Sequence, residues 1–405
     1  MSVSGKARIG GVALNKIIEW NFDTPHPTDN QVKGAYTNPK SVYGFGHMDF
    51  YRHCLDALEN GKDELVNGRL WAPFSPISYQ EEEGIPTFRK RSWSIPKMPR
   101  VNGRIWIRQA FDLFERYVNQ FGMPDILHAH SALWGGVAAQ HIAARYGLPY
   151  IITEHSSAFA RNLIPKPLIP YIQEAFSLAS ERIAVSAPLA RLLMDRYSKK
   201  DVKVVPNVVH TDFFVPPREP RASVPFIFLT VAALTKNKGI DLLVKAFSET
   251  FRGNENFQLW VGGDGEQKNE LVSLVDALGI GNQVRFLGLL SREGVRQAMW
   301  QANAFVSSSF VETFGVVLIE AMSTGLPVIA TRSGGPEDFV TPEVGFLVPV
   351  GDQNALSEGL NKLFETRGNF SEHAIRESIV RRFSPTVIAR QLSEIYESVL
   401  PRKEN

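Results

Sequence analysis

A single cysteine, Cys54, stands among 405 residues, so no disulfide can close within the chain and a reducing compartment suits it. There is no run of about 18 apolar residues to span a membrane as a helix. The first dozen residues carry no apolar core long enough for a secretory signal, so a cytoplasmic protein is expected, with any membrane contact peripheral on the inner face. Charge of one sign is missing overall. Lys and Arg total 44 against 42 Asp and Glu, a formal net charge of +2, which is too small to argue for nucleic acid as a partner. Neither G-x-G-x-x-G nor G-x-x-x-x-G-K spacing occurs, which removes the dinucleotide fingerprint and the P-loop. No nearby Cys or Asp completes a convincing ligand set around His128, His130 and His141, so no metal is expected.

What is present is ordinary for a soluble globular protein: 44% hydrophobic and 21% charged residues, in a chain long enough that two domains are the default. Residues 21–46 are rich in Pro, Asn, Thr and Gly and show no period, so they read as irregular, with a helix expected over 48–59. No clear strand is legible in residues 1–70, and Gly10-Gly11 and Gly44-Phe45-Gly46 follow none. From Gly84 to Phe111 there is no acid but seven bases (Arg89, Lys90, Arg91, Lys97, Arg100, Arg104 and Arg108), with Trp93 and Trp106 interleaved. Two readings stand side by side. One is a basic, aromatic patch for anionic lipid headgroups or a phosphorylated acceptor. The other is a solvated loop and a helix whose cations face water.

Regular alternation begins at Asp125. A strand over 125–130, a helix over 134–146 and a strand over 150–153 form a βαβ unit, and Glu154 and His155 fall where the second strand passes into a loop. A helix (171–180), a strand (182–186), a helix (188–197) and a strand (202–206) follow. Pro216, Pro217, Pro220 and Pro225 then crowd into a linker. Strands and helices alternate again after it, which predicts an α/β fold of two doubly wound sheets facing each other across a cleft. The expected division is residues 1–220, 221–384 and a final helix at 385–400.

The densest stretch is Ser307–Gly335, read as strand, loop, helix, tight turn and strand. Glu312 lies in the loop, and Glu320 about two turns along, in the helix that follows. Such a loop sits at the carboxyl edge of a parallel sheet, where α/β proteins bind ligands. Their separation argues against a shared acid–base role. Two carboxylates are instead suited to the hydroxyls of a nucleotide sugar, with Glu320 on the ribose and Glu312 on the sugar. Lys238 with Gly239, before a helix, offers a cation and N–H donors to a pyrophosphate. Gly263, in the turn Gly262-Gly263-Asp264-Gly265 after a strand, lets a backbone approach a ligand closely.

These residues carry a resemblance. The E-x7-E element with F-G after its first Glu, the following A-M-S-T-G-L-P-V-I-A, S-G-G-P-E at Ser333–Glu337, G-F-L-V-P at Gly345–Pro349, V-A-A-L-T-K-N-K-G at Val231–Gly239, V-V-P-N-V-V at Val204–Val209, and the upstream P-D-I-L-H-A-H-S and T-E-H-S are similar to the family-4, GT-B glycosyltransferases, best of all to the bacterial exopolysaccharide type. The resemblance covers residues 124–400. It implies two Rossmann-like domains, with the donor nucleotide held mainly by the second and the last helix crossing back to the first. It implies retaining, metal-independent transfer of a glycosyl group from a UDP- or GDP-linked donor, which is a substrate and not a cofactor, to a glycan or polyprenyl-diphosphate-linked acceptor. Glu320 would contact the ribose, Glu312 the sugar or diphosphate, Lys238 the diphosphate, and His155 the sugar's 6-hydroxyl. Backbone N–H groups around Phe314, Gly315 and Val316 would meet sugar or phosphate. A phosphorylase on the same architecture and a nucleotide-sugar-binding protein without turnover are the alternatives. Two departures stand out: Ala233 sits where many members have an arginine, and the family's opening strand with its glycine-rich loop is not legible.

Overall fold

β-branched and aromatic residues fill the strands of the second half, and their continuous burial marks a sheet covered on both faces. Every residue of Phe226–Val231 is buried, for example. The computed structural model describes residues 2–4, 7–9, 12–14, 17–20, 77–82, 85–90 and 98–400, with two large sheets. The expected helix at 48–59 lies outside the described residues.

The first sheet uses β1 (Ser2–Ser4), β4 (Ile17–Trp20), β5 (Ser78–Glu82), β6 (Ile85–Arg89), β7 (Ile126–His130), β8 (Tyr150–Glu154), β9 (Glu181–Ala184) and β10 (Lys203–Val204), while β2 (Ala7–Ile9) and β3 (Val12–Leu14) pair separately. Its order is β10-β9-β8-β7-β4-β1-β6-β5. From β10 to β4 the neighbours are parallel; β1, β6 and β5 extend the sheet in antiparallel fashion. The sequence reading is corrected here, because β4 is a strand inside residues 1–70 and it lies beside β7. Four residues, one of them Glu19, followed by Asn-Phe-Asp in place of glycines, carry too weak a pattern to show it. Part of the basic stretch is likewise a strand, β6.

Helices α1 (Pro99–Phe121), α2 (Val137–Tyr146), α3 (Ile169–Leu178) and α4 (Ala187–Arg196) accompany this sheet. The helix expected from Trp134 begins only at Val137, since Trp134 has φ 63° and ψ −42°. Its ring lies over Gly103 of α1, where a Cβ would stand 2.3 Å from it.

The second sheet contains β11 (Phe226–Val231), β12 (Phe257–Gly262), β13 (Val284–Gly288), β14 (Ala304–Ser307), β15 (Val328–Thr331) and β16 (Gly345–Val348), all parallel, in the order β13-β12-β11-β14-β15-β16. Counted from its own first strand this is 3-2-1-4-5-6, the order of dinucleotide-binding sheets. Its helices are α5 (Ile240–Phe251), α6 (Lys268–Ala277), α7 (Arg292–Gln301), α8 (Val316–Ser323), α9 (Gln353–Glu365) and α10 (Glu372–Phe383). Sequence reading left α10 unassigned, although Ser371 caps it by accepting from the Ala374 amide and Ile375, Ile379 and Phe383 are buried at a spacing of four. The last helix, α11 (Pro385–Val399), lays Ile388, Ile395 and Tyr396 on Ile126, Ile151 and Ile183 of the first sheet. An apolar cluster also joins the halves, running from Phe114 through Phe214 to Phe314 and Phe383.

Candidate active site

In an open parallel sheet the ligand crevice opens at the carboxyl ends of the strands where their order reverses. Here that point lies between β11 and β14, which are neighbours although two other strands separate them in sequence. The loops leaving these strands are tied to one another. The Phe310 amide donates to the Asn237 carbonyl (2.8 Å), the Asn237 side-chain amide to the Val311 carbonyl (2.9 Å), and the Ser308 hydroxyl to the Lys238 carbonyl (2.9 Å). The result is that Lys238 and Glu312 meet, with Nζ 2.6 Å from Oε2 and both side chains partly exposed at 27% and 18%. A half-covered ion pair of this kind keeps a cation available to a competing anion, because the cleft does not seal it.

Glu312 is held from behind as well. Its amide donates to the Ser333 carbonyl (2.9 Å), and its carbonyl accepts from the Gly335 amide (2.7 Å). This explains S-G-G-P-E: a Cβ on Gly335 would stand 2.3 Å from the Cα of Phe314, so only glycine lets the two loops pack. Phe314 is buried, its ring 5.4 Å from that of Phe339 and 5.6 Å from that of Phe383. Its ring is thus core. Gly315, at φ 96°, starts α8, and Val316 is the first residue of the helix. The first N–H groups of this eight-residue helix, with no side chain capping them, thus follow directly on the loop of Glu312.

Glu320 is the fifth residue of α8, so it sits about one turn into the helix and not two. It keeps part of its surface exposed, yet burial around its carboxyl pushes the pKa up to about 8, with Arg292 pulling the other way. Arg292 in turn lies over the rings of Phe213 (4.7 Å) and Phe214 (5.6 Å). Gly263, at φ 128°, does make a close approach, but to the protein's own backbone: a Cβ there would stand 1.9 Å from the Ala232 carbonyl oxygen. The turn packs under the loop 232–234, where the Leu234 amide donates to the Asp264 carbonyl (2.9 Å).

On the first sheet, imidazoles collect at the carboxyl ends of β7 and β8. The rings of His128 and His130 stack at 4.5 Å, and those of His130 and His155 at 5.2 Å. His155 Nε2 lies 2.9 Å from His130 Nδ1, and His155 Nδ1 lies 3.1 Å from Oδ1 of Asn207. Both ring nitrogens of His155 are thus engaged, one by Asn207 and one by His130. His128 reaches the Tyr396 hydroxyl (2.7 Å) through Nδ1 and the Thr153 hydroxyl (2.7 Å) through Nε2, which ties α11 to the strand ends. Glu154 is fully buried. Its carboxylate accepts from the amides of Ala132 (2.7 Å), His155 (2.9 Å) and Ser156 (2.7 Å). Burial pushes its pKa up to about 7 against those three donors. It fixes the turn beginning at Ser131 to the start of the His155 loop. Among the described residues no group of three or more His, Cys, Asp or Glu is arranged to hold a metal ion.

The predicted residues therefore fall into two groups. Lys238, Glu312, Gly315, Val316 and Glu320 sit on the loops that leave β11 and β14 and on the helix that follows, and His155 belongs to the opposite sheet. The two groups touch through a residue that sequence reading passed over: the Thr313 hydroxyl donates to the His155 carbonyl (2.9 Å). Asn207 and Glu154 were also missed as partners. Their signal was present, since Asn207 sits in V-V-P-N-V-V and Glu154 directly precedes His155.

Residues 66–213 match the family model described as Glycosyltransferase Family 4, and residues 215–380 the one described as Glycosyl transferases group 1. The chain belongs to the family-4 glycosyltransferases. It is 27% identical over 288 residues to the phosphatidylinositol N-acetylglucosaminyltransferase gpi3 subunit of Schizosaccharomyces pombe, covering 68% of this chain and 61% of that protein. It is 29% identical over 285 residues to the phosphatidyl-myo-inositol mannosyltransferase of Mycobacterium leprae, covering 68% and 74%. The chain thus spans about three fifths of the length of the first of these relatives. Among solved structures it resembles a sucrose-phosphate synthase from Thermosynechococcus elongatus, with a TM-score of 0.67, 22% identity and coverage of 80% and 86%. It also resembles HepE of Anabaena in complex with UDP, with a TM-score of 0.63, 20% identity and coverage of 75% and 84%. The fold of this family-4 chain is GT-B.

Proposed function

We propose that this chain is a retaining glycosyltransferase that moves a sugar from a UDP- or GDP-linked donor to a lipid-linked or glycan acceptor in polysaccharide or glycolipid assembly. The observation that carries this is the Lys238–Glu312 pair at the point where the strand order reverses, 2.6 Å apart and open to the cleft. A donor diphosphate competes for the Lys238 ammonium. Drawing the cation onto phosphate frees the Glu312 carboxylate for a sugar hydroxyl, so binding itself arms the second group. The charge that develops on the leaving diphosphate falls to Lys238 and to the N–H groups at the start of α8, with no resident metal called upon. Glu320 takes the ribose diol, and His155 faces the sugar from the first sheet. A lipid acceptor is supported by the printed names of the two relatives, both of which act on phosphatidylinositol. The reading is tested by incubating the full chain with a panel of UDP- and GDP-sugars and mixed lipid and glycan acceptors. Nucleotide release with one donor is expected, and none with any combination would overturn it.

The same reading places the protein on the cytoplasmic side of a membrane. Among the described residues no helix is long and apolar enough to cross one. Arg100, Arg104 and Arg108 recur every four residues on α1 and are all exposed, beside the exposed Met98 and Val101. Such a stripe suits anionic headgroups. The basic stretch is less one-signed in space than in sequence, because Asp112 lies 2.6 Å from Lys90. Co-sedimentation with vesicles containing anionic lipid should fall with salt and with the three arginines changed to Ala; binding that ignores both would contradict the stripe.

A further inference from the structure

We propose that Thr313 and Asp338 are positioning residues that set the two domains in register over the cleft, an inference that rests on the transferase reading. Thr313 follows Glu312 directly, and its hydroxyl donates to the His155 carbonyl at 2.9 Å. Asp338 ends the turn Gly335–Asp338, and its Oδ2 accepts from the amide of Ala187, the first residue of α4, at 2.7 Å. Both contacts cross from the second domain to the first, and both come from one piece of structure. The loop of Glu312 and the loop of Ser333–Asp338 are joined by the Glu312–Ser333 and Gly335–Glu312 hydrogen bonds and by the Phe314–Phe339 ring contact. They land on two different elements, the carboxyl end of β8 and the amino end of α4. One contact would leave the domains able to turn about it, whereas two from one braced loop pair, beside the apolar cluster that also joins the halves, oppose the turn.

The chemistry of each contact suits such a role. The first-turn amides of a helix lack partners within it. Ser186 serves the Leu189 amide (3.3 Å), and the Ala187 amide is left to a carboxylate from the other domain, which the helix dipole also favours. The Asp338 loop is braced from below, since Arg382 donates to the Asp338 carbonyl at 2.8 Å. Thr313 is buried, so its hydroxyl and the His155 carbonyl meet away from solvent. Through this contact, the backbone that carries Glu312 and the backbone that carries His155 move as one.

The test uses Thr313→Val, Asp338→Ala and Asp338→Asn in the full chain, with thermal unfolding to confirm that each folds. Nucleotide affinity, a property of the second domain, should stay within about twofold of the parent. The kcat of Thr313→Val and Asp338→Ala should fall by about tenfold or more, and Asp338→Asn, which keeps an acceptor oxygen, should recover part of it. Small-angle scattering with UDP or GDP present should show Asp338→Ala more extended than the parent. Unchanged kcat together with unchanged scattering would overturn the proposal. If the parent turns over no donor, the transferase reading fails on its own, and the scattering comparison alone decides the register: identical curves would overturn it.

Discussion

The two sheets carry their site residues in different ways. In the second, six parallel strands reverse order once, and Lys238, Glu312 and Glu320 each sit in a short motif at a strand end, a turn or a helix start, the first two brought together across the reversal. In the first, five strands from β10 to β4 are parallel and three more extend the sheet antiparallel. The side chains at its edge are held by partners far away in sequence. His155 leans on Asn207, 52 residues on, and His128 on Tyr396, 268 residues on. The candidate residues of the second sheet therefore fall in contiguous motifs that a single strand reversal brings together, while those of the first depend on how the whole first domain and the returning helix assemble.

The widest gap between the halves should show in catalysis. Glu312→Gln removes a charge at the crevice, so kcat should drop by roughly 10²–10³ while nucleotide binding holds; steady-state kinetics with the donor found by screening decides it. A drop below tenfold would make the second domain a passive nucleotide holder. Next in size is Gly335→Ala, whose Cβ has 2.3 Å to the Phe314 Cα. Overpacking of this kind costs about 1–3 kcal/mol or more, measurable by urea unfolding, and a neutral result would mean the two site loops are not locked.

How much of this was legible follows the same division. The 3.6-residue and strand patterns after Asp125 outlined nearly every element of the second sheet, and S-G-G and E-x7-E marked its loops because each spans adjacent residues. Strand β4 was not legible, being only Ile17–Trp20 with no following glycines. The ion pair of Lys238 with Glu312 was not legible either, because a separation of 74 positions closes only when β14 inserts beside β11. Nor was it legible that the Cβ missing at Gly263 makes room for the Ala232 carbonyl.

A third effect is one of pH, to which the raised pKa of Glu154 on the first sheet adds in the same direction. Burial holds the Glu320 pKa up to about 8. The folded state then binds the proton more tightly than the unfolded chain, so this group's contribution makes stability fall as pH rises from the ordinary carboxylate range to about 8, and level off above. Ribose hydroxyls donate to the ionised form, so nucleotide affinity should rise over the same window. In Glu320→Gln both slopes should flatten, as calorimetric titration from pH 6 to 9 would show; an unchanged slope would remove Glu320 from the nucleotide. The smallest effect belongs to the first sheet. Tyr396→Phe deletes the hydroxyl 2.7 Å from His128 and should cost about 1 kcal/mol of stability, with a modest loss of kcat and none of nucleotide binding. A loss of binding instead would mean that the returning helix serves the donor side.

The central claim is that a diphosphate is held where the strand order reverses, by Lys238. Calorimetric titration of UDP and GDP into the parent chain and into Lys238→Ala tests it without needing the sugar or the acceptor. One of the two nucleotides should bind the parent at least tenfold more tightly than it binds the variant. Equal affinity for both proteins, or no binding of either nucleotide to the parent, would contradict it.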